Sequence, residues 1–497
     1  MTRYFIFFIC VLLSSLINAQ SKKNLEIINS NYTIYDSSVL PDARRLVDSV
    51  IFKHNNTLMY CDSAWHYFKE NRFKAFGNIH INKGDTLHLY GNHLNYDGKK
   101  GKAILSGNIV LIDKEMRLET SQLEYDLNNN IASYYSGAKI QNNENELFSK
   151  IGNYFADLNQ LNFKKNVELI NVDYKINCDT LHFNTISEIA FFLGPTTIVS
   201  DSNLIYCENG WYNTLTNVSR YSENAYLKNK DQQLSGDSLY YNRDLGYGLA
   251  LKNIEIIDTI NNFILNGQKA ELFEFKDSSI VTIDPLFTVV MDNDSLFLHS
   301  DTICAFTEKN EKIVKSSTGV KFFNEEISGK CQSLFYFNND STICLYDSPI
   351  LWTNDYQMTA DTIVLQMKNK NLDKLFLYDN SFIVSNPYPD FYNQIKGKDI
   401  VGLFKDNKMK NIQVFGNGQV SYTLEDNKNK LTGINTVNCS FMNIDVKKSK
   451  IDRISFQQKP ESVIYPTEKL PEKWKKLKGF IWRVNEKINS KKDIWKK

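Results

Sequence analysis

The chain has 497 residues and a formal net charge of +1, so no overall positive field favours nucleic-acid binding. Aromatic residues make up 13% of the composition, with 31 Phe and 27 Tyr, whereas Pro occurs only 9 times. Because strands favour aromatic and β-branched side chains, this composition predicts a protein rich in β-structure.

The N-terminal segment, residues 1–20, has the layout of a secretory signal peptide. Arg3 precedes an apolar run at residues 4–13, and small and polar residues follow up to Ala19. The alternative is a membrane anchor, but the apolar run is short for a bilayer core about 30 Å thick. We therefore expect cleavage near Ala19 and export of a protein that is not integral to a membrane.

A two-strand pattern repeats about thirteen times between residues 59 and 458. The lead-in before it, residues 21–58, contains NLEIINSNYTIYD, which also predicts strand. Each copy has a small residue and a polar one, an alternating apolar stretch, a polar turn and a second alternating stretch. Such a period of about 30 residues is typical of repeat architectures. The copies begin at Cys61, Gly91, Thr120, Gly152, Cys178, Cys207, Gly236, Gly267, Ser300, Cys331, Ala360, Gly397 and Gly433.

Stacking lets these copies bury the apolar side chains that a single copy would leave exposed to water. A single two-strand unit is not stable in water, whereas stacked units pair each strand with the strands before and after it. We therefore predict an all-β fold, an elongated β-jelly roll or β-solenoid that ends in a short helical or irregular tail. The alternative is a string of small β-sandwiches. It predicts linkers rich in Pro, Gly or Ser, and the sequence shows none.

The last segment, residues 459–497, is basic. Residues 466–497 include eleven Lys or Arg and four acidic residues. Its large apolar residues lie three, four or seven positions apart, which predicts an apolar stripe on a helix, weakened by Gly479. These residues are Trp474, Leu477, Ile481, Val484, Ile488 and Trp495. Three roles stay open: a cap on the last repeat, a docking element for a partner, and contact with an anionic membrane or lipid phosphate.

The repeat resembles the OstA-like family, which includes LptA and the periplasmic domain of LptD. The resemblance rests on residues 91–132, with CDTLHFN at 178–184, GDSLYYN at 236–242 and ADTIVLQ at 360–366, and it extends over about residues 59–440. It implies a jelly roll of two facing sheets in the periplasm, with a hydrophobic groove for the lipid A acyl chains of lipopolysaccharide. It also implies end-to-end assembly with other jelly-roll transport proteins. This chain is much longer than a typical LptA.

The alternating apolar pairs are the candidate lipid-groove residues. The alternation pattern alone favours a closed core over an open groove, whereas the family resemblance favours the open groove. The candidate residues are Leu94, Tyr96, Ile109, Leu111, Leu123, Tyr125, Leu181, Phe183, Leu239 and Tyr241. The first hypothesis is a lipopolysaccharide-binding protein that moves glycolipid towards the outer membrane without covalent chemistry. The alternatives are a structural or adhesive β-solenoid without a lipid ligand and a polysaccharide-active β-helix enzyme.

The sequence contains no recognisable motif for catalysis or for binding a metal or a cofactor, so we predict no enzyme activity, no metal and no cofactor. His80, His88 and His93 match no zinc-ligand spacing, and strand alternation predicts that His88 and His93 point to opposite faces. The Asp that recurs in the opening pair, as at Asp62, is better explained by turn geometry than by catalysis.

Seven cysteines remain after cleavage of the signal peptide. Cys178 and Cys207 occupy equivalent positions in adjacent copies, about two strand spacings or 9.5 Å apart. A disulfide needs Cα atoms within about 7 Å, so we predict that these two do not bond to each other.

Overall fold

The computed structural model describes residues 25–496 apart from 55, 85–86, 143–144, 202, 291–294, 354–355, 369–370, 406–407, 427, 429, 448–449 and 458–459. The predicted signal peptide, residues 1–20, lies outside the described residues. Strands account for 71% of the residues and helices for 5%, which confirms the predicted all-β jelly-roll class. Within the described ranges, no helix has the length and apolarity that a membrane crossing needs.

The chain divides into two compact units, residues 1–201 with 208–215 and residues 202–207 with 216–497. Neighbouring strands pair antiparallel within each unit. The first unit contains β1 (Glu26–Asn29), β2 (Tyr32–Ile34), β3 (Ala43–His54), β4 (Thr57–Tyr67), β5 (Arg72–Lys83), β6 (Leu87–Asp97), β7 (Lys102–Asp113), β8 (Met116–Asp126), β9 (Ile131–Tyr134), β10 (Ala138–Gln141), β11 (Asn145–Ser149), β12 (Ile151–Phe155), β13 (Gln160–Asn171), β14 (Tyr174–Asn184) and β15 (Ile189–Ser200).

The residues of β16 (Leu204–Asn213) are divided between the two units. The second unit also contains β17 (Val218–Ser222), β18 (Tyr226–Lys228), β19 (Gln232–Ser235), β20 (Ser238–Asn242), β21 (Tyr247–Asp258), β22 (Phe263–Phe273), β23 (Ser278–Thr282), β24 (Leu286–Val290), β25 (Ser295–His299), β26 (Thr302–Glu308), β27 (Glu311–Phe323), β28 (Ser328–Phe337), β29 (Thr342–Tyr346), β30 (Ile350–Trp352), β31 (Gln357–Thr359), β32 (Thr362–Lys368), β33 (Asn371–Tyr378), β34 (Ser381–Tyr388), β35 (Phe391–Gly397), β36 (Asp399–Lys405), β37 (Lys408–Glu425), β38 (Leu431–Lys447), β39 (Lys450–Gln457) and β40 (Glu461–Tyr465).

A bulge near the middle of the long strands divides each unit into two facing sheets. Between β4 and β5 the pairing Tyr60↔His80 gives way to Ser63↔Phe76, so the register shifts there. A bulge adds a residue and bends the strand. We call sheet I the halves equivalent to residues 93–97 and 102–106, and sheet II the halves equivalent to residues 87–91 and 109–113.

The repeated Gly-Asn pair forms this bend. Gly77 and Asn78 both adopt left-handed backbone angles, with φ of 75° and 40°. A Cβ atom at position 77 would lie 2.2 Å from Asp62 Oδ2, so a larger residue there would have to displace the Asp62 side chain. Asn78 Nδ2 donates a hydrogen bond to Asp62 Oδ2 at 2.9 Å. The same contact joins Asn253 to Asp237 and Asn380 to Asp361. At these positions the recurring Asp holds the bend, as turn geometry predicts.

The C-terminal segment, residues 466–496, does not form the helix that its apolar spacing predicts. It contains one helical turn, α1 (Glu472–Lys475), and the 3-10 turns Thr467–Lys469, Val484–Glu486 and Lys491–Trp495. Gly479, with φ of 94°, interrupts any longer helix. Two further 3-10 turns, Ala156–Leu158 and Glu274–Lys276, lie between strands. Tertiary contacts with the second unit fix the irregular path of this segment.

Two buried glutamines hold the C-terminal segment on the outer face of sheet II. Gln394 Nε2 donates to the Lys475 carbonyl and Gln394 Oε1 accepts from the Leu477 amide, both at 2.9 Å. Gln357 does the same with the Ile481 carbonyl (2.6 Å) and the Arg483 amide (2.7 Å). Each glutamine thus satisfies two backbone groups that an irregular segment would otherwise leave unpaired.

The covered strands are apolar on both faces. Phe382 and Val384 lie on the outer face of β34 and pack against Leu470, Trp474 and Leu477 of the segment. Ile383, between them, faces the interior and is also buried. A strand buried on both sides has a continuous apolar run, which is the pattern of residues 382–384 and 350–352.

Candidate functional site

The interior between the two sheets is the candidate site, because the alternating apolar side chains meet there. In the first unit a narrow cavity is lined by Leu111 and Leu118 from sheet II and by Leu123 and Phe163 from sheet I. Side chains one position along each strand point outwards, as Ile104 does between the buried Ala103 and Leu105. The predicted pairs therefore share one inward face, and what differs along the chain is whether that face is closed.

Three tyrosines close the start of the first unit by crossing from sheet I to sheet II. The Tyr96 hydroxyl hydrogen-bonds His54 Nδ1 at 2.5 Å. Lys83 Nζ donates to the Tyr125 hydroxyl at 3.4 Å and also to Asn130 Oδ1. The Tyr154 hydroxyl donates to Asp113 Oδ2 at 2.9 Å. Tyr96, Tyr125 and Tyr154 are evenly spaced, one repeat apart, and each bonds to a partner 41 or 42 residues earlier in the chain. The three bonds therefore form a ladder, which we call the tyrosine ladder.

Burial keeps the tyrosine ladder uncharged. It raises the pKa of Tyr125 to about 12, with the nearby carboxylates of Asp157 and Asp113 adding to the shift. It also raises the pKa of Tyr96 and of Tyr154 well above the usual range. The hydroxyls therefore stay protonated at neutral pH, and the bonds do not depend on a charged phenol.

The tyrosine ladder seals six of the ten predicted groove residues into a core. Leu94, Tyr96, Ile109, Leu111, Leu123 and Tyr125 are each between 0 and 4% exposed. Phe52 and Phe73 stack beneath Tyr96 with their ring centroids 3.9 Å apart. In this part of the chain the inward residues pack against one another and leave no open groove.

The interior opens further along the first unit. Leu181 is 2% exposed and Phe192 is 1% exposed, so they form a floor. Phe183, the next inward residue after Leu181, is half-buried, as is Leu161, with which it pairs across β13 and β14. Phe183 occupies the sheet-I row of the tyrosine ladder, but it has no hydroxyl with which to reach sheet II.

The second unit shows the same opening. Leu239 forms a buried floor with Ala250 and Ala270, while Tyr241 is half-buried. Leu272, inward-facing in β22, is 43% exposed. The Tyr241 hydroxyl donates to Glu274, in the 3-10 turn at the sheet-I end of β22, and not to sheet II. Burial and this hydrogen bond raise the pKa of Tyr241 to about 12.

Apolar residues stand at the turns that border each opening. In the first unit Leu158, Ile186 and Leu215 follow the sheet-I edge at 63 to 72% exposure, and Val172 on the opposite edge is 95% exposed. In the second unit the corresponding residues are Leu245, Phe275 and Ile260. Beside the tyrosine ladder the turn Asp97-Gly98-Lys99-Lys100 is polar, but the neighbouring turns also carry apolar residues, Phe68 at 41% exposure and Leu127. Apolar turn residues are therefore most exposed beside the openings but are not confined to them.

The histidine, cysteine and acidic side chains of the described residues were the other candidates for a site. The described part of the chain contains no group of three His, Cys, Asp or Glu side chains placed to hold a metal ion. His88 and His93 both lie on outer faces, His88 on sheet II and His93 on sheet I. The prediction that one of them points inwards and the other outwards is therefore wrong, because the bulge between Tyr90 and His93 adds a residue to the alternation. His88 stacks instead on His80, with ring centroids 5.4 Å apart.

The cysteines between residues 61 and 439 form no disulfide with one another, as predicted for Cys178 and Cys207. Burial raises the pKa of Cys61 and of Cys207 to about 12. A thiol with so little thiolate at neutral pH is a poor nucleophile and a poor metal ligand. These side chains therefore serve as small packing residues.

Comparisons with known proteins point to one family. The family model described as OstA-like protein matches residues 22–179 and, in a second match, residues 176–237. A solved structure that is similar to the chain is LptH, the LptA homologous periplasmic component of the conserved lipopolysaccharide transport device from Pseudomonas aeruginosa. The two share 14% identity over 21% of this chain and 79% of that chain, with a TM-score of 0.20. A search of curated proteins finds no match. The family match includes both the tyrosine ladder and the opening at Phe183.

Proposed function

Residues 22–237 belong to the OstA-like family, and from this premise we propose that the chain carries lipopolysaccharide or a closely related glycolipid towards the outer membrane. The ligand binds by its acyl chains between the two β-sheets and undergoes no covalent change. The predicted signal peptide brings the protein to the periplasm, where this transport takes place.

The observation that carries the proposal is the opening of the interior where the tyrosine ladder ends. Each methylene of an acyl chain costs about 0.8 kcal/mol when it is exposed to water, so a lipid with several chains needs a long apolar lining. The openings at Phe183 and at Leu272 offer partly exposed apolar side chains above a buried apolar floor. Exposed apolar side chains that lie together, and not singly, are typical of a site that a ligand or a partner covers.

Different predicted residues take different roles in this proposal. Phe183 and Tyr241 line the openings and contact acyl chains, and Leu181 and Leu239 form the floor beneath them. The remaining six residues keep the sheets together at the start of the first unit. The exposed apolar residues at the borders, such as Ile186 and Phe275, contact the parts of the acyl chains nearest to water.

The family also supports end-to-end assembly with other jelly-roll transport proteins. In the described residues β1 and β2 both pair with β3, at the beginning of the first unit. Their side chains are largely exposed, with Ile28 at 53%, Tyr32 at 65% and Ile34 at 59%. An edge strand with exposed apolar residues favours the addition of a strand from a partner, and a second jelly roll provides one.

The test is detection of lipid on the native protein and mapping of its contacts. Mass spectrometry of the protein purified without detergent should reveal a bound glycolipid. A photocrosslinking amino acid at position 183 or 241 should label lipopolysaccharide, whereas one at position 104, on the outer face, should not. Absence of lipid together with equal labelling at all three positions contradicts the proposal. It would favour a structural or adhesive solenoid, and depolymerisation of a polysaccharide would favour an enzyme.

A further inference from the structure

The C-terminal segment has a second face beyond the one that packs on sheet II. Its inward residues Leu470, Trp474, Leu477, Ile488 and Ile494 are each between 1 and 7% exposed. These residues and the glutamine contacts are sufficient to cover the sheet. The composition of the opposite face therefore needs another explanation.

That opposite face is strongly cationic. Residues 466–497 hold eleven of the 58 Lys and Arg residues but only four of the 57 Asp and Glu residues, in a chain whose net charge is +1. Lys473, Lys478 and Lys492 are exposed. Three of the four acidic side chains are neutralised by ion pairs close by. These pairs are Glu472 with Lys475, Glu486 with Arg483 and Lys330, and Asp493 with Lys496.

Apolar side chains are interspersed among these lysines. Ile481 is 58% exposed, Val484 is 44% exposed, and Trp495 is 41% exposed. Trp495 rests on His299 of β25, with ring centroids 4.1 Å apart, and the rest of its surface faces solvent. A small soluble anion would gain nothing from these apolar groups, whereas the interface of a bilayer accommodates them.

We propose that the outward face of the C-terminal segment is a docking surface for an anionic lipid bilayer. Lysines near an anionic membrane surface attract its phosphate groups, and Ile481, Val484 and Trp495 insert at the level of the headgroups. The contacts from Gln357 and Gln394 hold the segment in place beforehand, so binding orders little additional chain. This inference goes beyond the proposed function, since it concerns a surface of the second unit and not the interior that binds acyl chains.

The test is cosedimentation of the full chain, without the predicted signal peptide, with vesicles. Vesicles of phosphatidylcholine and phosphatidylglycerol in a two-to-one ratio are compared with vesicles of phosphatidylcholine alone, at low and high salt. One variant combines Lys473→Gln, Lys478→Gln and Lys492→Gln. The control combines Lys99→Gln, Lys114→Gln and Lys164→Gln, which removes the same charge from exposed positions of the first unit.

We expect binding to the anionic vesicles alone, weakened by salt because exposed charges are screened. The C-terminal variant should bind roughly a hundredfold more weakly, the factor that three lysines near a membrane surface supply, while the control binds like the unchanged chain. Circular dichroism confirms that both variants fold. Equal loss in both variants, or no loss in either, overturns the proposal.

A third result would assign the surface to another ligand. If the C-terminal variant keeps its vesicle binding but captures less lipopolysaccharide, the lysines recognise the phosphates of the cargo, and the bilayer proposal is wrong. Crosslinking at position 183 reports separately on the interior. Vesicle binding can therefore fail while the lipid-transport proposal stands, and the converse is equally possible.

Discussion

Replacement of Leu272 by lysine should abolish most lipid binding while leaving the fold intact. Leu272 faces the interior of the second unit and is 43% exposed. Full burial of a leucine side chain is worth about 1.5 to 3 kcal/mol, so an acyl chain that covers the exposed part gains about 1 kcal/mol. Lysine loses this gain and adds the cost of holding an ammonium group beside the acyl chain. We expect a total loss of about 2 to 3 kcal/mol, which is roughly a 30- to 150-fold weaker affinity.

The matched control is Ile104→Lys. Ile104 is 37% exposed, close to the value for Leu272, but it lies on the outer face of β7 in the first unit. Affinity is measured as displacement of a fluorescent fatty-acid probe by lipopolysaccharide, and stability as the midpoint of urea unfolding. Both variants should unfold near the midpoint of the unchanged chain. Equal affinities for the two variants would refute the assignment of the opening at Leu272 as a ligand site.

Two further predictions concern stability. His66 is 6% exposed, and burial, aided by the nearby Arg44 guanidinium, lowers its pKa to about 4. The unfolded chain therefore binds a proton on His66 more readily than the folded chain does. The free energy of unfolding should fall by about 2 to 3 kcal/mol as pH drops from about 6.5 to 4. Urea titrations at several pH values should show this fall, and the His66→Gln variant should show a smaller one. Gly77→Ala should cost about 1 to 3 kcal/mol because of the positive φ and the clash with Asp62. Gly236→Ala, whose new Cβ would make only ordinary contacts, should lie within about 0.5 kcal/mol of the unchanged chain in the same urea assay.

The features confined to one strand or one turn could be predicted from the sequence. In β6 the alternation of Leu87 and Leu89, then of Leu94 and Tyr96, reports directly which side chains are buried. The Gly-Asn pairs mark the bends because only a few residue types tolerate left-handed backbone angles. The sequence did not predict which face the residue after a bend occupies, as at His93. A rule of strict alternation does not include the extra residue of a bulge.

The path of the C-terminal segment could not be predicted from its own residues. The spacing of Trp474, Leu477 and Ile488 fits a helical stripe, yet these residues pack inwards from an irregular chain. The deciding contacts come from Gln357 and Gln394, which lie several repeats earlier in the chain than the backbone groups they bind. Only the apolar runs at residues 350–352 and 382–384, too apolar for a sheet with one face in water, indicated that another segment covers sheet II.

Whether the interior is a closed core or an open groove depends on contacts between residues in different copies of the repeat. The alternation pattern within one strand does not predict such contacts. Tyr125 and Phe183 occupy the same row of sheet I and look equivalent in a pattern of apolar residues. Tyr125 bonds to Lys83, which belongs to an earlier copy of the repeat, whereas Phe183 lacks the hydroxyl that such a bond needs. The interior is sealed where the hydroxyl bonds to sheet II, and it is accessible where the hydroxyl is missing, as at Phe183, or bonds elsewhere, as at Tyr241. The tyrosine ladder closes the start of the first unit with hydrogen bonds and not with larger side chains. The same apolar lining continues beyond the tyrosine ladder, and there we propose that it receives a lipid.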